Sequence, residues 1–175
     1  MKLLKLSGDN PGIVLKEMSV KDCDPFYRLY FTENESAGQH LEIGDKNMNP
    51  KQFAEHIMSL CNELFTIRTV YNNNIIIGDC ALHHWSEAEN KIEIGGSLLP
   101  QYWGKGIMAT AFQLLIQFAK EKYNVQVMVA KTDSTNHKAL KFSEKLGFKK
   151  VGNEGDTIIL EKEVLNYKSN PYDFD

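Results

Sequence analysis

A chain of 175 residues, 42% hydrophobic and 25% charged, has the composition of a soluble protein and length enough to bury a real core, so residues 1–175 are expected to form one domain. No apolar run approaches a membrane span, the opening Met1-Lys2-Leu3-Leu4-Lys5 is too short and too charged for a signal peptide, and Cys23, Cys61 and Cys80 are odd in number and lack metal spacing. The net charge of −3 is uneven, +6 over residues 101–150 and −9 over the rest, and with no arginine in the basic part nucleic-acid binding is not expected.

Residues 1–12 end in Asp9-Asn10-Pro11-Gly12, a turn signal, and form an arm or a short leading strand. A strand is expected over 13–18 and a helix over 19–31, beginning near Ser19 or Asp22. Residues 32–49 show no periodicity and hold two glycines, a loop or broken helix of a length that compact domains keep for binding. Pro50 opens a helix whose apolar members include Phe53, Ile57, Leu60 and Leu64. Residues 64–71 and 75–85 read as a hairpin turning on Asn72-Asn73-Asn74, because asparagine tolerates left-handed geometry. A second reversal at 87–90 leads into a strand over 92–99, ended by Pro100. From Ile107 a long helix is predicted, with Ala111, Leu114, Leu115, Phe118 and Ala119 on one apolar face. It ends near Asn124, and residues 125–131 follow as a strand. A helix over 135–146 stops at Gly147, strands cover 148–152 and 157–164, and the polar stretch 166–175 is expected to be a loose tail.

The most informative stretch is Gln101-Tyr102-Trp103-Gly104-Lys105-Gly106-Ile107-Met108, two glycines where a strand becomes a helix. Without Cβ atoms they let an anion approach the backbone, and the first N–H groups of the helix point at it with a favourable dipole. A triphosphate P-loop is excluded because no Gly-Lys-Ser/Thr follows. A dinucleotide fingerprint finds Ala109 at its third position but would require an acidic residue beyond the helix, and Glu121 lies within it.

The spacing Gln-x-x-Gly-x-Gly resembles the acetyl-CoA loop of the GNAT acetyltransferase superfamily, and Asn136-x-x-Ala139 leading to Glu144-Lys145-Leu146-Gly147-Phe148 resembles its second cofactor segment. Gly78 through Leu82-His83-His84, followed by Ile92-Glu93-Ile94-Gly95, looks like the branch of RimJ/RimL N-terminal and spermidine acetyltransferases. The resemblance covers roughly residues 10–165 and implies an α/β (α+β) fold. In that fold about four helices flank a mixed sheet of about six or seven strands, splayed between the fourth and fifth so that pantetheine slots between them. It implies acetyl-CoA as co-substrate, no metal, and direct attack by a primary amine in a ternary complex. The acceptor would be a protein N-terminus, a polyamine or another small amine, walled in part by residues 32–49.

By the same resemblance, backbone groups at Leu98 and Leu99 pair with pantetheine, and Gln101, Trp103, Gly104, Lys105, Gly106, Ile107 and Met108 surround the diphosphate. Asn136 bonds the pantetheine or the adjoining strand, and Lys145 reaches the adenosine phosphate. Strand alternation sets Glu93, Gly95 and Ser97 on one face and Ile92 and Ile94 on the other, leaving room beside a Glu93 general base. His84 shares that face if the turn register is even, and His83 points away. Ser143 stands where many relatives carry the tyrosine that protonates the leaving thiolate, and a serine is a poor acid. A cytoplasmic monomer or homodimer without membrane or nucleic-acid partners is expected. The rival reading is an acyl-CoA-binding module or sensor without turnover.

Overall fold

The computed structural model describes residues 3–5, 12–31, 47–69 and 75–164. The 32–49 loop over most of its length, the asparagine turn at 72–74 and the tail at 166–175 lie outside the described residues.

Among the described residues, eight strands form one sheet in the order β1-β2-β3-β4-β5-β6-β8-β7. These are β1 (Leu3–Lys5), β2 (Ile13–Glu17), β3 (Glu63–Thr69), β4 (Ile76–Ser86), β5 (Lys91–Leu98), β6 (Val127–Asp133), β7 (Lys149–Glu154) and β8 (Thr157–Glu163). Seven run from Ile13 onward, and the three-residue β1 adds an edge. Every pairing is antiparallel except β5 with β6. The parallel step requires a crossover, and α3 (Ile107–Tyr123) supplies it.

The helices divide between the two faces. On one side α3 lays Ile107, Ala111, Leu115, Phe118 and Ala119 against Phe65, Ile77, Leu82, Ile92 and Met128. Helix α4 (His137–Lys145) joins this layer through Leu140 and Phe142, the latter edge-on to Phe112 at 5.4 Å. On the other side α1 (Cys23–Phe31) and α2 (Pro50–Leu60) pack Phe26, Leu29, Phe53 and Ala54 over Leu64, Ile76 and Ala81.

Helix boundaries follow local chemistry. A single turn of 3₁₀ helix, Val20–Asp22, precedes α1. Pro50 opens α2 behind Asn49, whose side chain accepts from the Gln52 amide while Gln52 returns the bond to the Asn49 amide. That helix stops at Leu60, which is exposed, so the predicted continuation to Leu64 does not occur. Asn62 makes the switch: its amide donates to Leu82 O, and its side chain accepts from the Trp85 amide. These bonds dock the chain onto β4, and Leu64 is buried as part of β3. Asn124 at φ 52° ends α3, and Gly147 at φ 88° follows α4. No helix among the described residues is long and apolar enough to cross a membrane.

Candidate active site

Strands β5 and β6 pair only at Lys91–Val127, Ile92–Met128 and Glu93–Val129. Both then continue without each other. β5 stays on β4 as far as Leu98, and β6 stays on β8 as far as Asp133. Counted from Ile13, these are the fourth and fifth strands. The wedge between them opens into a cleft of about 1410 Å³, with a smaller one of about 420 Å³ between Gly95–Gly96 and residues 130–133.

The peptide groups of β5 alternate across this wedge. Leu99 N–H donates to Ile77 O at 2.9 Å and Ser97 N–H to Asp79 Oδ1 at 3.1 Å, both toward β4. Alternation turns the peptide groups of Gly96 and Leu98 toward the gap. Leu98 O there accepts from Trp103 Nε1 at 2.7 Å. Leu99 differs from expectation: its N–H is spent on β4, its side chain is buried, and it does not line the cleft. Gly96 is required by crowding, since a Cβ there would lie 2.6 Å from Asp79 O.

At the wide end, the 3₁₀ turn Pro100–Tyr102 leads into Gly104 and Gly106, both at φ 74°, and Gly106 is the N-cap of α3. Thr110 makes the first hydrogen bond back into the helix, to Gly106 O. Among the described residues no acceptor is found for the amides of Gly106, Ile107, Met108 or Ala109, which is the normal condition of an uncapped first turn. These residues and Gly104 line the cleft. Gln101 and Lys105 do not; Lys105 Nζ lies over the Tyr102 ring at 5.4 Å. Trp103 is held by Leu98 O beneath and by Lys138 Nζ of α4, 4.6 Å from its ring centre.

From the opposite wall Asn136 caps α4, its Oδ1 accepting from the Ala139 amide at 3.1 Å. It lines both clefts. Lys145 lines the larger one, and Ser143, 7% exposed, the smaller.

At the vertex the side chains converge. Glu93 Oε2 lies 3.0 Å from His84 Nδ1 and 3.9 Å from Lys131 Nζ, while Glu93 Oε1 lies 3.8 Å from His83 Nδ1. The two Nδ1 atoms are 3.1 Å apart. The register places His83, not His84, directly opposite Glu93. A bulge then sets His84 at φ 52°, so two consecutive imidazoles reach one carboxylate, against the expected alternation. Burial pushes the His83 pKa down, with His84 and Lys131 adding to that, and outweighs the upward pull of Glu93. Its imidazole is therefore held toward the neutral form. Glu93 is 12% exposed and does not line the cleft; the histidines do. The potential ligand atoms of this trio all lie within 4.8 Å of one another, a donor set that also suits a divalent metal.

Sequence reasoning passed over Asp79. It is buried on β4 at 3% exposure, lines the larger cleft, and accepts from Tyr30 O–H at 2.8 Å. Its signal was available as one acid inside the apolar run Ile75-Ile76-Ile77-Gly78-Asp79-Cys80-Ala81-Leu82.

Comparison with known proteins agrees with this geometry. A family model described as an acetyltransferase (GNAT) domain matches residues 13–149. The uncharacterized N-acetyltransferase p20 of Bacillus licheniformis is 26% identical over 153 residues, 80% of each chain. Among solved structures, RimL, a ribosomal L7/L12 alpha-N-protein acetyltransferase in complex with coenzyme A, superposes with a TM-score of 0.75 at 15% identity, over 87% of this chain and 94% of its own. The ribosomal-protein-S5-alanine acetyltransferase of Vibrio fischeri gives 0.74 at 20% identity, over 90% and 96%. With a parted parallel strand pair, an open helix start at its mouth and a family match over most of its length, this chain belongs to the GNAT acetyltransferase family.

Proposed function

We propose that this acetyltransferase moves an acetyl group from acetyl-CoA to a primary amine, on a protein N-terminus or a small molecule, by direct attack in a ternary complex. The observation that carries the reading is the β5–β6 ladder ending at Glu93–Val129, in line with the open amides at the start of α3. The residues present fit the co-substrate. Amides of Gly104 and of residues 106–109 receive the diphosphate, and peptide groups of Gly96 and Leu98 extend a ladder to the pantetheine. The Asn136 side-chain N–H₂, left over after capping, meets the same arm, and Lys145 offers a cation to the adenosine end. The thioester supplies an activated acyl carbon; the protein supplies position and proton management.

The amine arrives protonated and must lose a proton before attack. His84, in contact with Glu93, and His83, held neutral by burial, stand between Glu93 and the cleft. Glu93 therefore acts through them: an imidazole accepts the amine's proton, directly or through a water, and the adjacent Glu93 carboxylate stabilises the imidazolium that forms. Ser143 has a hydroxyl that can hydrogen-bond sulfur but is too weak an acid to protonate it, and the thiolate departs largely unaided.

Glu93→Gln tests the assignment. Thiol release from acetyl-CoA over a panel of N-terminal peptides, polyamines and aminoglycosides is expected to fall by about 10²–10⁴ in kcat. CoA affinity by calorimetry should stay within about twofold, because the substitution lies beyond the CoA-contacting groups. Retained turnover in the variant removes Glu93 from the chemistry. CoA binding without thiol release on any amine favours the non-catalytic reading, for which the serine at position 143 already speaks.

A further inference from the structure

The sheet face under α1 and α2 carries a second polar end that acetyl transfer itself does not use. Along β5, Glu93, Gly95 and Ser97 share this face, and their partners on β4 are His83, Ala81 and Asp79. The proton-handling cluster thus stands at one end and Asp79 at the other. Only Gly95 and Ala81 lie between, a floor almost bare of side chains. Four strand positions separate the ends, about 13 Å.

Asp79 is built in with care. Tyr30 from α1 donates to Oδ2 and the Ser97 amide to Oδ1, and Cys61 closes the same part of the cleft after α2. None of the ion pairs among the described residues includes Asp79. A buried carboxylate without a cation is costly, and strand packing alone would favour an apolar residue here. Burial pushes its pKa up to about 6 even against the two hydrogen bonds, so near neutrality the group is an anion awaiting a counter-charge.

We infer that Asp79 and the Tyr30 hydroxyl form a cation subsite that anchors a second ammonium group of the acceptor while its reacting amine lies at the histidine end. The preferred acceptor is then dicationic, with its nitrogens separated by a distance approaching the roughly 13 Å span of the face. The orientation of the acceptor rests on the acetyl-transfer reading; the subsite itself does not.

Calorimetry separates the two. α,ω-Diamines from diaminobutane to diaminodecane and monoamines of matching length are titrated into the CoA-saturated protein. The longer diamines should bind at least about tenfold more tightly than their monoamines, and Asp79→Asn should shrink that ratio to within about twofold while leaving monoamine affinity unchanged. Asp79→Ser, smaller and also uncharged, should do the same, so the test survives if the amide disturbs the strand. Absence of a diamine preference in the unmodified protein, or its persistence in both variants, overturns the inference. An equal loss for both amine classes shows a merely structural Asp79 and overturns it too. Thiol release on the same panel reads the other claim: diamine preference in binding without turnover sinks acetyl transfer and leaves the subsite standing.

Discussion

Gly104 and Gly155 have the same backbone problem and different neighbours. Both sit at positive φ, 74° and 58°, and at both a Cβ would meet nothing within 4 Å. Substitution by alanine therefore costs only the left-handed conformation, about 1–2 kcal/mol at each position. Gly155 lies in the turn between β7 and β8, far along the chain from the start of α3, whereas Gly104 aims the loop that leads into that helix. Gly104→Ala and Gly155→Ala should lower the melting temperature by similar amounts. Only the former should weaken CoA, by about tenfold or more, the worth of one or two amide bonds to a charged phosphate. Equal CoA affinity in the two variants would remove the loop from the binding site. This loop was legible in the sequence because the conformation demands glycine. His84 was not: it takes φ 52° without being glycine, and the bulge it creates, invisible to alternation, brings both histidines to Glu93.

Among the elements, the start of α2 was easier to read than its end. Asn49-Pro50 announces the start of α2 by chemistry acting within three residues, and the reciprocal bonds with Gln52 are those the pattern implies. The far end depended on Asn62 bonding to Leu82 and Trp85, partners some twenty positions away that no local rule supplies. The capping contribution can be isolated. Asn49→Ala should destabilise the protein by about 1 kcal/mol in denaturant titration with an unchanged slope, and Asn49→Asp by much less. An alanine variant as stable as the parent would mean that α2 is held by Phe53 and Ala54 against α1 and the sheet alone. Asp79 belongs to the same lesson: one acid in an apolar run is visible locally, but its bond to Tyr30 joins positions 49 apart in the chain, a partner that no local rule supplies.

At the scale of the whole molecule, two of the buried acids among the described residues, Asp22 and Asp79, have opposite effects on stability. Burial works against Asp22, but Arg68 at 2.7 Å, Ser19 and Lys16 more than offset it and hold its pKa below the ordinary 3.8. The folded chain then releases this proton before the unfolded chain does, so Asp22 contributes stability above about pH 4 that is lost on further acidification. Asp79 is the reverse. Desolvation lifts it to about 6, with Tyr30, Ser97, Cys61 and Cys80 around it and no cation among the described residues. Between pH 3.8 and about 6 the folded chain retains a proton that the unfolded chain has given up, so stability falls across that window and then levels, by about 3 kcal/mol in all. Asp79→Asn removes the titration while keeping the shape. Its melting temperature relative to the parent should be nearly level below pH 4, rise between pH 4 and 6, and hold as a plateau at pH 7 and above. A parallel pair of pH profiles would show that Asp79 does not titrate in that range. The predicted divergence would show instead that the fold tolerates an anion in this cleft at a cost in stability, an outcome expected of a site that functions with a cation in it.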